Sequence, residues 1–570
     1  MGADVFAVVM QGNVLPTTDR QRSMCDTASV TISRRRFLAL SATFTIAACS
    51  SDGTDLAPPE SAGSTTSTEP PTTDAPTNST SEPTTAPLPD STTTVAAPES
   101  AAVELSSDPF VFGVASGDPD PQSVVIWTRL GSDVSEVDTP DGEIPIDWFF
   151  AGDSGLELAG TATTSPAIGY SLHVIVPTTE PGSYSFSAGG FTSPTGRTAP
   201  INPAATEFRI AAASCQHYET GFYAAHGDIA AWEPDLVVFL GDFMYEGAAN
   251  ELGGAVVRQH EGPEPTDLDG YRARYATYLS DPQLQASRAA APWLTIWDDH
   301  EVENDYAGVI SENDDDPATF ARRRAQAYQV WWENTPTRLD PPSEQTGTDQ
   351  PYVIHRGLDV GEFLRISALD GRQFRDRAVS REILQTGPPE DGWDDPERTM
   401  LGAEQEAWVA DRFATSTTLW NCLAQQTVLS DTRVGDVGAI LNYDQWDGYH
   451  PARERLLAGA PPNFVTLTGD IHLAGVAEIG PIGDPVGIEF ITTAISSTAN
   501  VDPALAAVVL SIPSIVDGDL VSRGYTRHTV TTDAWTAEYR QVVDIADADS
   551  AVTTWKTFRV DAGIPAVNAV

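Results

Sequence analysis

The sequence predicts an α/β fold preceded by a small all-β domain. After residue 208, short apolar runs end in polar residues and alternate with helical stretches, a pattern typical of buried strands in a layered α/β domain. Between residues 103 and 198, short strand-like runs are separated by Gly, Pro and Asp turns, which favours a sandwich of the fibronectin or immunoglobulin sort. A chain of 570 residues is long enough for at least two such folded units and a large core.

The net charge narrows the possible partners. Lys and Arg total 32 against 81 Asp and Glu, a formal net charge of −49. This charge opposes general electrostatic binding to nucleic acid or to anionic lipid, so a partner that carries phosphate would need a bound cation. The 4 cysteines are too few for a dense disulfide framework.

The N-terminus, residues 1–49, resembles an export signal. Ser33-Arg34-Arg35-Arg36-Phe37-Leu38 matches the twin-arginine pattern and opens an apolar run to residue 48, which is shorter than the ~20 residues that span a bilayer. The run closes at Cys49 in a small-residue site that resembles a lipobox, so we expect Cys49 to carry a lipid anchor; the alternative is cleavage nearby that discards it. We expect twin-arginine export to the cell surface or medium, with membrane contact only through this anchor.

The next two segments differ sharply in composition. Residues 50–104 are rich in Ser, Thr, Pro and acids and almost lack large apolar side chains, so they are predicted to be a flexible linker. Residues 105–200 are predicted to form the β-sandwich. Its expected strands are 124–128, 146–150, 171–176 and 183–186.

Polar residues follow four buried strands of the predicted α/β domain, residues 205–565. The strands are 208–213, 236–240, 293–297 and 464–468, and helices are expected at 270–279, 317–333 and 403–415. Ligands gather outside the carboxyl ends of strands in sheet-based folds. The groups that follow these strands are therefore expected to share one pocket: Ser214-Cys215, Gly241-Asp242, Asp298-Asp299-His300 and Gly469-Asp470-Ile471-His472.

These residue types suit a metal site. A carboxylate at Asp242 and a phenol at Tyr245 can face one ion across a short turn, and a phenolate favours a hard trivalent cation such as Fe(III). Asp470 and His472 share a face of an extended segment, while Asp298-Asp299-His300 suits a second cation beside a proton donor. Cys215 is either a metal ligand or a nucleophile. Each group alone is compatible with a turn, a helix cap or core packing; four together favour a site.

Several motifs occur in an order that resembles the PhoD-type alkaline phosphatases. These are secreted phosphodiesterases and phosphomonoesterases of the calcineurin-like metallophosphatase class. The motifs are Ser214-Cys215-Gln216, Gly241-Asp242-Phe243-Met244-Tyr245-Glu246, Trp297-Asp298-Asp299-His300-Glu301, Asp370-Gly371-Arg372-Gln373-Phe374-Arg375, Asp444-Gln445-Trp446-Asp447-Gly448-Tyr449 and Gly469-Asp470-Ile471-His472. Phe112-Gly113-Val114-Ala115-Ser116-Gly117-Asp118-Pro119 resembles the family's N-terminal domain, so the likeness spans roughly residues 108–563.

The resemblance implies an αββα-layered metallophosphatase sandwich with one Fe(III) and Ca(II). It places Cys215, Asp242, Tyr245 and Asp470 on the iron side, with Asp242 bridging toward calcium. Asp299, together with Asp298, would bind calcium, and His472 would lie close to the metals. His300 matches the histidine that assists the leaving group.

The expected reaction is the attack of a metal-held hydroxide on a phosphodiester or phosphomonoester, for phosphate scavenging. Arg372 and Arg375 would either grip a phosphate oxygen or form internal ion pairs. We expect a monomer without specific nucleic-acid binding. Two alternatives stay open at this point: a nucleotidase or nuclease with Mn or Zn, and a non-enzymatic surface lipoprotein stabilised by calcium. A paired-carboxylate glycosidase would use Asp298 or Asp299 but would not need Cys215, Tyr245 and His472.

Overall fold

The computed structural model describes residues 103–570 except 132–133, 136–138, 252–255, 382, 384–386 and 499–502. The twin-arginine segment, Cys49 and almost all of the linker lie outside the described residues, so their roles stay predictions. Within the described part of the chain, no helix combines the length and apolar character that crossing a membrane requires.

The described residues form twenty-two strands and seven α-helices. The strands are β1 (Val114–Gly117), β2 (Ser123–Arg129), β3 (Ile144–Gly152), β4 (Glu157–Thr164), β5 (Ser171–Pro177), β6 (Gly182–Ala188), β7 (Phe191–Thr192), β8 (Gly196–Thr198), β9 (Glu207–Ala213), β10 (Leu236–Phe239), β11 (Pro292–Thr295), β12 (Arg356–Val360), β13 (Leu364–Ala368), β14 (Trp420–Gln425), β15 (Phe464–Thr468), β16 (Ala474–Ile479), β17 (Gly487–Ile491), β18 (Ile515–Asp519), β19 (Arg523–Thr531), β20 (Ala534–Val542), β21 (Val552–Asp561) and β22 (Val567–Ala569). The helices are α1 (Ala224–Trp232), α2 (Leu268–Leu279), α3 (Pro282–Ala290), α4 (Pro317–Asn334), α5 (Gly402–Ala414), α6 (His450–Leu457) and α7 (Pro503–Val509).

Two large sheets pack face to face and carry helices on their outer sides. The ten-stranded sheet has the order β22-β21-β20-β19-β9-β10-β11-β1-β2-β5, and the seven-stranded sheet has the order β12-β13-β14-β15-β17-β16-β18. Alternating side chains of β15 show the layering. Val465 and Leu467 join the core shared with the ten-stranded sheet, whereas Phe464 packs in the cluster that includes Val409 of α5 and Leu456 of α6. This αββα layering confirms the predicted fold class.

The N-terminal β region shares a sheet with the α/β region. β1 pairs in parallel with β11, so β1, β2 and β5 extend the ten-stranded sheet. The second sheet of the sandwich has the order β4-β3-β6-β7, with β8 also paired to β6. A core that includes Val124, Ile126, Ile146, Phe150 and Phe186 lies between the two sheets. The predicted N-terminal all-β sandwich is therefore present, and one of its two sheets is part of the ten-stranded sheet.

The four strands expected to deliver ligands all form, as β9, β10, β11 and β15. The helices expected at 270–279, 317–333 and 403–415 form as α2, α4 and α5, each within two residues of its predicted ends. Helix starts follow local capping chemistry. The Asp316 carboxylate accepts a hydrogen bond from the Thr319 amide, and Pro317 occupies the first turn of α4, where its missing N–H is not needed.

Candidate active site

The four ligand-bearing strand ends converge. β9, β10 and β11 are neighbouring parallel strands, so Cys215, Asp242 and Asp298 leave the same edge of the ten-stranded sheet. β15 brings Asp470 and His472 to this edge from the facing sheet. One donor atom each from Cys215, Asp242 and His472 lies within 4.8 Å of the others. The predicted convergence of these three residues is therefore observed.

Four predicted ligands have left-handed backbone conformations. The φ angles are 59° at Cys215, 57° at Asp242, 63° at Asp470 and 60° at His472. Non-glycine residues seldom adopt positive φ, and such strain clusters at functional sites, where the surrounding structure holds it. The tight turn also explains Gly241, at φ 106°, because a Cβ there would lie 2.5 Å from the Asp298 Cβ.

Tyr245 joins the first cluster through its hydroxyl. This group donates to Asp242 Oδ2 at 2.8 Å, lies 3.0 Å from His472 Nε2 and accepts a hydrogen bond from Ser497 Oγ at 2.7 Å. Burial and the neighbouring Asp242 carboxylate raise the pKa of the Tyr245 phenol and that of the Cys215 thiol. Both groups therefore keep their protons unless a cation binds them.

Carboxylates fill the second half of the site. Donor atoms of Asp298, Asp299 and Asp470 lie within 4.8 Å of one another, as do those of Asp299, Asp305 and Asp444. Burial raises the pKa of Asp298, whereas Arg372 and then His300 overcome the burial of Asp299 and lower its pKa to about 2. So many buried carboxylates close together are typical of a cation-binding site, because a bound cation offsets their mutual repulsion.

Arg372 is the central cation of this array. Its guanidinium is fully buried and contacts Asp298 through Nε, Asp444 Oδ2 at 2.5 Å and Asp470 Oδ1 at 2.6 Å. Arg375 Nη1 pairs with Asp444 Oδ1 at 2.7 Å. Of the two roles expected for these arginines, the structure shows the internal ion pairs. The two arginine side chains hold the carboxylates of Asp298, Asp444 and Asp470 in place.

The donor set fits the cations that the resemblance implies. Asp242 Oδ1 and Asp298 Oδ2 are buried and have no hydrogen-bond partner among the described residues. An unpaired buried carboxylate oxygen is costly unless a cation binds it. The thiol, phenol and imidazole on one side suit a transition metal, and the all-oxygen carboxylates on the other suit calcium.

His300 lies beside both halves. Its Nδ1 donates to Glu246 Oε2 at 2.7 Å, and its ring centroid lies 4.1 Å from that of Tyr245. Although burial lowers the pKa of His300, the Glu246, Asp242 and Asp299 carboxylates raise it well above the usual value. The hydrogen bond from Nδ1 to Glu246 therefore fixes the orientation of the imidazole.

A pocket of about 310 Å³ opens over these residues. Asp242, Asp299, His300, Asp470 and His472 line it, which places three carboxylates and two imidazoles around one space. Arg377 and Arg381, which the sequence analysis did not single out, also line this pocket. Both pair with Asp314 Oδ1, Arg377 at 2.7 Å and Arg381 at 3.8 Å.

The sequence analysis did not assign a role to two residues that support the site, Glu301 and Gln445. Glu301 accepts hydrogen bonds from the backbone amides of Asp242, Phe243 and Asp298 at 2.7–3.1 Å, and so ties the β10 turn to the β11 turn. Gln445 donates to Asp470 Oδ2 at 2.6 Å. Glu301 and Gln445 stood in the recognised motifs, but their contacts are tertiary and no local pattern identifies them.

The chain is similar to known proteins in sequence and in structure. Residues 210–539 match the family model described as PhoD-like phosphatase, and residues 95–201 match the model of its N-terminal domain. The chain is 36% identical over 483 residues to alkaline phosphatase D of Bacillus subtilis (strain 168), covering 80% of this chain and 82% of that protein. It is also similar to a solved structure titled "Structure of PhoD", with a TM-score of 0.77 and 35% identity, covering 82% of this chain and 93% of the other.

Proposed function

Because this chain belongs to the PhoD-like phosphatase family and is a phosphoric ester hydrolase, we propose that it hydrolyses both phosphodiesters and phosphomonoesters for phosphate scavenging. One observation carries the proposal. The Cys215 thiol, the Asp242 carboxylate and the His472 imidazole lie within 4.8 Å of one another beside an acidic pocket. A pocket lined by carboxylates binds a phosphate ester only when cations offset the repulsion.

Fe(III) and Ca(II) are the cations of this proposal. Cys215, Tyr245 and Asp242 would hold iron, together with Asp470 as the resemblance implies, and Asp242, Asp298 and Asp299 would hold calcium. In the structure, the Asp470 carboxylate lies within 4.8 Å of the Asp298 and Asp299 carboxylates. The buried thiol and phenol beside Asp242 support the first assignment, and the all-carboxylate group supports the second. When bound, these ions lower the pKa of a water molecule and offset the negative charge of the phosphate.

The chain's own groups bind the ester and supply the proton. Arg377 and Arg381 line the pocket and attract the anionic substrate. Glu246 fixes Nδ1 of His300, so the proton on the other ring nitrogen serves the departing oxygen. Arg372 and Arg375 keep Asp298, Asp444 and Asp470 in register.

The cellular setting of the proposal comes from the N-terminal sequence. The twin-arginine motif supports export, and Cys49 supports a lipid anchor that keeps the enzyme, as a monomer, at the cell surface; cleavage beyond Cys49 would release it instead. A twin-arginine substrate is commonly exported already folded, which suits an enzyme that acquires its metals before export.

A substrate profile tests the function. The full chain is assayed on bis(p-nitrophenyl) phosphate and on p-nitrophenyl phosphate, with added calcium and then with a chelator. We expect hydrolysis of both esters, support by calcium and loss with the chelator. Activity restored by Mn²⁺ or Zn²⁺ but not by iron and calcium would favour the nucleotidase or nuclease alternative. No hydrolysis of either ester would overturn the proposal.

The leaving-group role of His300 gives a separate prediction. His300→Gln is expected to lower kcat about 10²-fold for an alkyl phosphodiester, since the alkoxide needs a proton as it departs. The loss should be clearly smaller for a nitrophenyl ester, because nitrophenolate leaves without protonation. Steady-state kinetics on the two esters measures the difference.

A histidine outside the pocket provides the control. His355 is half-buried against Trp408 and does not line the catalytic pocket. His355→Gln should leave kcat for both esters unchanged. Equal losses for the alkyl and nitrophenyl esters in His300→Gln would remove the proton-donor assignment.

A further inference from the structure

A second cluster of metal-type side chains lies next to the catalytic pocket and outside it. His217 and Glu219 follow Cys215 on the segment after β9, and His260 lies on the connection between β10 and α2. The three residues are only 2%, 3% and 1% exposed. One donor atom from each lies within 4.8 Å of the other two, and His260 Nε2 is 3.8 Å from Glu219 Oε2.

The polar atoms of this cluster are unsatisfied. His217 Nδ1, Glu219 Oε1 and both ring nitrogens of His260 are buried and have no hydrogen-bond partner within the part of the chain that the structure describes. A polar atom that is buried without a partner destabilises the folded state. Each nitrogen of a histidine ring donates or accepts a hydrogen bond, and buried polar atoms normally have such a partner. Four unpaired atoms on three convergent side chains therefore indicate a ligand between these side chains.

The donor chemistry selects the class of that group. Two imidazoles and one carboxylate form a set that suits divalent transition metals, zinc above all. Calcium and magnesium prefer all-oxygen ligands and are a poor match for two imidazoles. None of the three residues is among the ligands assigned to the catalytic cations.

We propose that His217, Glu219 and His260 bind one divalent transition-metal ion of the zinc class, separate from the cations of the catalytic pocket. The ion joins two segments that are about forty residues apart in the chain. Two hydrogen bonds already join these segments: Val257 N donates to the Glu219 backbone O at 2.8 Å, and Asn250 N donates to the side-chain Oε2 of Glu219 at 2.9 Å. The ion completes this connection where the side chains alone leave four polar atoms unpaired.

The position of the cluster gives the ion a consequence for the catalytic site. The His217 ring contacts the Tyr245 ring edge-on at a centroid distance of 4.8 Å, and the His217 amide donates to Ser497 Oγ at 3.0 Å. Ser497 in turn donates to the Tyr245 hydroxyl. The ion therefore fixes the ring of His217, which packs against Tyr245.

Metal content tests the proposal without an activity assay. Full-length wild type and His260→Gln are stripped with a chelator, titrated with Zn²⁺ alone, passed through a desalting column and analysed for zinc. A parallel titration with Co²⁺ is followed by its visible absorption. We expect His260→Gln to retain one equivalent less than wild type and to lose the corresponding Co²⁺ absorption.

Two further variants make the result specific. Asp242→Asn should keep the zinc equivalent that His260→Gln loses, and His355→Gln should match wild type. Glu219→Gln repeats the test if His260→Gln does not fold, as judged by circular dichroism. Equal zinc retention by wild type and by the folded His260→Gln or Glu219→Gln protein overturns the proposal, as does a wild type that retains no zinc outside the sites removed by Asp242→Asn.

Discussion

Asp242→Asn is expected to lower kcat/KM for bis(p-nitrophenyl) phosphate by at least about 10³-fold, since metal stabilisation of a phosphoryl transition state is worth several kcal/mol. Asp242 stands between the two halves of the site. It shares a cluster with Cys215 and His472 and another with Asp299 and His300. Asparagine keeps the size of the side chain but removes its charge, so the fold survives while both proposed cations lose a ligand.

The measurement is steady-state kinetics with circular dichroism as the check on folding. Asp484 is an exposed acid far along the chain in a turn after β16, and Asp484→Asn makes the same chemical change away from the pocket. This control should retain wild-type kcat/KM. A folded Asp242→Asn protein with more than about a tenth of wild-type activity, a loss below 1.4 kcal/mol, would contradict the role assigned to Asp242.

Arg372→Met is expected to lower the free energy of unfolding by about 3–5 kcal/mol, the range for breaking a buried ion pair by removing one partner. The fully buried guanidinium is shared by Asp298, Asp444 and Asp470. Methionine has a similar length and no charge, so its main effect is to leave these carboxylates uncompensated. Denaturant unfolding of metal-stripped protein measures the change, because bound cations would mask part of it.

An exposed ion pair offers the matched comparison. Arg559 Nε lies 2.7 Å from Asp561 Oδ1, and both side chains are more than 40% exposed. Arg559→Met should change the free energy of unfolding by less than about 1 kcal/mol, as exposed pairs do. Similar effects of the two substitutions would show that Arg372 does not hold the acid cluster together.

The strands that carry the site were predictable because each combines two strong local signals. An apolar run such as residues 464–468 has to be buried, and the Gly469-Asp470 turn that follows has to end the strand. Parallel strands with such ends share one edge of a sheet. For this reason the meeting of Cys215 and Asp242 follows from the sequence pattern, whereas His472 reaches them from the facing sheet, at the end of β15.

Other features depend on contacts between distant segments, which no local pattern encodes. The pairing of β1 with β11 joins residues about 180 positions apart, so the shared sheet was not foreseen. The sequence analysis also did not identify the buried cluster of His217, Glu219 and His260, because a lone histidine in a loop does not by itself indicate a binding site. The same limit applied to Arg372, whose sequence motif fits a phosphate contact and ion pairs equally well until its burial is known.

The proposed hydrolysis requires cations bound where the separate strand ends meet. Elemental analysis of full-length protein purified without chelators, paired with its activity before and after chelation, tests this requirement. We expect iron and calcium in the active protein, and joint loss of iron, calcium and activity on chelation. Undiminished hydrolysis by protein freed of all metal would contradict it.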